Sequence, residues 1–171
     1  MPSIRALTAA VVLAGALAGC GGDEDATDPK DPDLGGAWNA TLAVTAAWSQ
    51  AAPQATGTAD ISSTGSTSVR LAVAGLAPDT DYTAHLHDGE CDETPPGGGH
   101  WLEDPEGEDA AGNIIELSFT TSSTGIGSAD VSSDLISDGR AESVVVHAPE
   151  ALTRSEGLDS DRVLCGDLED V

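Results

Sequence analysis

The chain is 171 residues long, sets 30 Asp and Glu against 6 Lys and Arg, and carries a formal net charge of -24 at pH 7. Such an anion repels nucleic-acid backbones and acidic lipid surfaces, which excludes both as electrostatic partners. Aromatic residues make up only 3%, so the core is expected to rest on Val, Leu, Ile and Ala.

Residues 1–19 carry a single charge, Arg5, followed by an apolar Ala, Val and Leu stretch that ends in Leu17-Ala18-Gly19-Cys20. The stretch is short for a membrane span, and small residues ahead of a cleavage point mark an export signal. The run Leu-Ala-Gly-Cys resembles a bacterial lipobox, which implies that Cys20 is diacylated and becomes the first mature residue. The chain would then be exported and anchored to the cell membrane or the outer membrane, facing the periplasm or exterior, with the lipid as its only membrane contact. Cleavage removes Arg5 and takes the charge from -24 to -25. Residues 20–36 are rich in Gly, Asp, Glu and Pro, bury too little apolar surface to fold, and read as a tether. Residues 37–171, about 135 in number, suffice for one domain with one modest core.

From Trp38 onward, alternating or β-branched runs are separated by turn residues, and no stretch has a helical period. Strands are expected at about 37–48, 55–62, 66–74, 81–88, 113–121, 126–132, 141–148 and 162–168. Eight short strands predict an all-β domain: an antiparallel Greek-key barrel related to immunoglobulin-like sandwiches. Two connections are long, 89–112 with its prolines, glycines and acids, and the polar 149–161; loops of this kind in a compact domain are usually functional. With Cys20 committed to lipid, Cys91 and Cys165 remain as one pair for an oxidising compartment. A bridge closing that loop contributes roughly 4 kcal/mol in the chain-entropy model.

All four histidines fall in three short segments, His85-Leu86-His87, Gly97-Gly98-Gly99-His100 and Val145-Val146-His147. Alternate residues of a strand share a face, so His85 and His87 can converge on one ion while Leu86 points inward. His100 and His147 complete an all-imidazole set suited to zinc, copper, iron or nickel. Trp101, next to His100, is expected to wall the site.

These motifs, in this order over roughly residues 37–168, resemble the copper/zinc superoxide dismutases. His85-Leu86-His87 is similar to that family's His-x-His strand, Asp88-Gly89-Glu90-Cys91 to the segment with its first disulfide cysteine, and Gly98-Gly99-His100 to the loop carrying its metal-bridging histidine. Val145-Val146-His147 resembles the strand end with the fourth copper ligand, and Arg162-Val163-Leu164-Cys165-Gly166 the segment with the active-site arginine and second cysteine. No histidine lies between His100 and His147, so the family's zinc site is not expected, and the loop before Arg162 is short. Both departures resemble the copper-only branch, in which a glutamate takes over the orienting role of zinc behind the bridging histidine. Glu106, with Asp109 three residues later, is the first candidate for that carboxylate, and Glu108 the alternative.

The resemblance implies superoxide as substrate, copper as the only metal, His100 as a releasable ligand and proton carrier, and Arg162 as the anion-binding group. Arg154 is a weaker candidate for the rim. A monomer is expected. The alternative is a non-catalytic copper-binding lipoprotein on the same barrel.

Overall fold

A computed structural model of the chain describes residues 35–171. The expected export signal, Cys20 and most of the expected tether lie outside the described residues. Eight strands form the barrel: β1 Gly36–Val44, β2 Thr56–Ser63, β3 Thr67–Ala74, β4 Asp81–His87, β5 Glu116–Thr120, β6 Gly127–Ser133, β7 Ser143–His147 and β8 Arg162–Asp167. Their hydrogen-bonded order is β5-β4-β7-β8-β1-β2-β3-β6, all antiparallel, and β7 returns to pair with β4 after the β5 to β6 excursion. This is a Greek-key connection. β5 and β6 pack against one another without a ladder, so the barrel is nearly closed.

The expected strands are present, with corrections at their margins. The first stops at Val44 instead of running to residue 48, because Ala46–Trp48 turn into a short 3-10 helix that buries Trp48. The connection expected to lack helix holds one six-residue segment, α1 Glu150–Ser155. A two-residue strand, β9 Glu169–Asp170, adds to β1.

β2 and β3 alternate strictly between buried and exposed residues, which sends Ala59, Ile61, Val69, Leu71 and Val73 inward. β7 is buried at every position, and β4 over its last four. Both faces of that region are therefore covered, the inner by the core and the outer by a loop. The core is aliphatic as expected, yet the few aromatic residues are all in it: Trp38, Trp48, Tyr82, Trp101 and Phe119. Burying these large side chains extracts much apolar area from a sparse supply.

Candidate metal centre

Parity along β4 and β7 builds the site. Leu86 pairs with Val144 and both enter the core, whereas His85 and His87 pair with Val145 and Ser143 on the outer face. His147, two residues beyond Val145, shares that face. His100 arrives from the loop: residues 87 and 100 form an antiparallel bridge, fixed by Asp88 N donating to Gly99 O at 3.1 Å and Trp101 N to Leu86 O at 2.9 Å. The same alternation sends His100 outward and Trp101 inward, so Trp101 does not wall the site; it is fully buried in the core and donates from Nε1 to Asp138 at 3.0 Å.

The four imidazoles offer one nitrogen each, all within 4.8 Å of one another. Three rings have a carboxylate at another nitrogen. Glu116 Oε2 lies 3.2 Å from His85 Nε2, Asp109 Oδ1 2.8 Å from His100 Nδ1, and Asp161 Oδ2 3.3 Å from His147 Nδ1. The inward atoms left by these contacts are His85 Nδ1, His100 Nε2 and His147 Nε2. His85 Nδ1 is buried with no partner among the described residues, and His87 Nε2 sits 3.2 Å from His147 Nε2. An orphaned buried nitrogen among converging imidazoles is a costly arrangement unless a cation shares them. The donor set fits a borderline transition-metal ion, copper included.

Burial, with repulsion from the neighbouring rings and Arg162, pushes the His87 imidazole down to about 2, and burial lowers His85 as well. Both rings are therefore neutral near pH 7, the state a ligand requires.

The carboxylate at His100 belongs to Asp109. Glu106 and Glu108, the other candidates, form no side-chain hydrogen bond or ion pair among the described residues; their backbones only help to fold the loop around Asp104 and Asn113. Glu116 and Asp161 were not foreseen. Glu116 stands directly opposite His85 in the β4–β5 ladder. Its signal is visible only once register is known.

Arg162 reaches the site through a register shift. Val146 pairs with Leu164 but His147 pairs with Arg162, leaving Val163 unpaired between them. The extra residue puts Val163 in the core and turns Arg162 onto the face of His147. The guanidinium is half-buried, and its Nη1 donates to the carbonyls of Pro96 and of Gly98, the latter at 2.8 Å. Among the described residues it forms no salt bridge, so Nε and Nη2 keep their donors. Arg154 instead pairs with Glu150 one turn away on α1, exposed to solvent.

The loop carrying those carbonyls is tied down on both sides. Cys91 bonds to Cys165, Cys91 N donates to Asp167 at 2.7 Å, and Ser143 Oγ donates to Gly89 O at 2.7 Å. Gly97 lies so near β7 that an added Cβ would stand 2.5 Å from Val145 Cγ2, and its φ of 84° also favours glycine. The disulfide is characteristic of an oxidising, extracytoplasmic compartment.

Fold and cluster together define a β-barrel protein with a four-histidine group able to hold a metal ion. No family model and no curated protein matches the chain. A solved structure titled "Crystal Structure Analysis of the clock protein EA4" is similar with a TM-score of 0.55 and 16% identity, over 81% of this chain and 96% of that one. At that identity the likeness is one of fold.

Proposed function

We propose that the protein is a copper-dependent superoxide dismutase of the cell envelope, working without zinc. The observation that carries this reading is Arg162: a cation held by carbonyls beside four converging imidazoles, with donors unspent and, among the described residues, no carboxylate salt-bridged to it. A storage site has no need of an anion-binding group at its mouth. The reaction converts two superoxide anions and two protons to oxygen and hydrogen peroxide. Bound copper would supply the one-electron couple that takes an electron from one superoxide and returns it to the next.

The residues divide the remaining work. His85, His87, His100 and His147 would hold the ion, and Glu116, Asp109 and Asp161 keep three rings turned inward. His100 is the most exposed of the four rings, and with Asp109 holding Nδ1 its Nε2 would serve either the ion or, when free of it, a proton. Arg162 draws in and orients a small anion through Nε and Nη2.

The test loads the protein with copper alone and measures superoxide loss beside Arg162→Ala and His147→Ala. The loaded protein is expected to exceed free copper in the same buffer, Arg162→Ala to lose about tenfold or more in kcat/KM, and His147→Ala to lose the metal. Tight copper binding with no dismutation above buffer would leave the copper-holding alternative in its place.

A further inference from the structure

Asp161 is built into the site more firmly than a surface acid needs to be. Its carbonyl accepts from Ala148 N at 2.7 Å, next to His147. The residue before it is pinned by Trp48 Nε1 donating to Ser160 O at 2.8 Å, and the residue after it by Thr45 Oγ1 donating to Arg162 O at 2.6 Å. Its backbone is thus held by the residue that follows β7 and by the segment that carries the 3-10 helix, while its carboxylate faces His147 Nδ1. The contact, 3.3 Å, is longer than an ideal charge-assisted hydrogen bond. Asp161 also adjoins Arg162 in sequence without forming a salt bridge to it. Its charge acts through space, and with Asp88 it partly offsets the guanidinium.

We propose that Asp161 is a positioning residue with two separable effects: its oxygen keeps His147 turned with Nε2 inward, and its charge weakens the hold of Arg162 on anions. The second effect sets specificity. A site that must turn over a transient monoanion gains by releasing stable ones, and a negative group beside the cation shortens their residence. The inference rests on the proposed reading of Arg162 as the anion-binding group.

Asp161→Asn separates the effects, because its amide oxygen still accepts from Nδ1 while the charge is gone, whereas Asp161→Ala removes both. The full protein and both variants are loaded with copper(II), and the visible spectrum, copper affinity and azide affinity are measured. Asp161→Asn is expected to keep the parent spectrum and copper affinity and to bind azide about threefold to tenfold more tightly, the effect of one screened charge nearby. Asp161→Ala is expected to share the tighter azide binding, shift the copper spectrum and lose about tenfold in copper affinity. Azide binding equal to parent in Asp161→Asn, or a spectrum as altered there as in Asp161→Ala, overturns the proposal. Failure of the parent itself to bind azide, or azide binding unchanged in Arg162→Ala, would instead overturn the anion-binding reading of Arg162.

Discussion

Strands β1, β2, β3, β5 and β6 bury one face, while β4, β7 and β8 are buried almost throughout. The first group reads as scaffold: mostly small, polar or charged side chains outside, with Leu, Ile, Val, Ala and the aromatic rings of Trp38 and Phe119 inside. In the second group the outer face has been roofed by residues 89–100, and every chemically distinctive side chain of the site lies under or beside that roof. A strand pays for two buried faces only where both have partners, so lost alternation marks where polar groups have been enclosed on purpose.

The contrast is open to direct attack. Leu71→Ala, in the fully buried core of β3, is expected to cost about 2–5 kcal/mol in denaturant unfolding while leaving metal stoichiometry intact. Loss of metal in that variant would show that the scaffold and site are not separable. His87→Ala is the converse: metal affinity should fall by more than about 100-fold, beyond the loss usual for an outer partner, with the β-sheet circular dichroism preserved.

The metal-free protein tests the enclosed face through pH. His87 has an ordinary value near 6.5 when unfolded and about 2 when folded, so below 6.5 the unfolded chain takes a proton that the folded one refuses. Stability from this ring is full above that point and falls with acidification by about 1.4 kcal/mol per pH unit. His85, lowered in the same direction, adds to the slope. Urea midpoints of metal-free protein between pH 7 and 5 measure it, and a flat profile would contradict the enclosure. Arg70→Ala defines the floor: it removes an exposed pair with Asp130 on the scaffold and should leave both melting temperature and metal affinity unchanged.

The scaffold was legible in sequence because period-two alternation is a local property, carried by runs such as Thr67–Ala74. The histidines were legible for a related reason, since His85 and His87 share parity and His147 ends a β-branched run. What stayed hidden depends on distant partners. Nothing near Glu116 tells that it stands across from His85, and Asp109 could not be separated from Glu106 and Glu108 until the loop was folded around Asn113. The short helix at Glu150–Ser155 has too few residues to display a period, and Trp101 enters the core instead of walling the site because the bridge to His87, which no local pattern announces, puts it on the face opposite His100.

The unpaired Val163 gives the barrel a counting rule. Straighten the last long strand so that Val163, not Arg162, stands opposite His147, and the parity upstream of Leu164 reverses, swinging a guanidinium toward oil and leaving a bare rim above the imidazoles. The four rings would still meet, but the cation beside them would have turned away with its own residue unchanged.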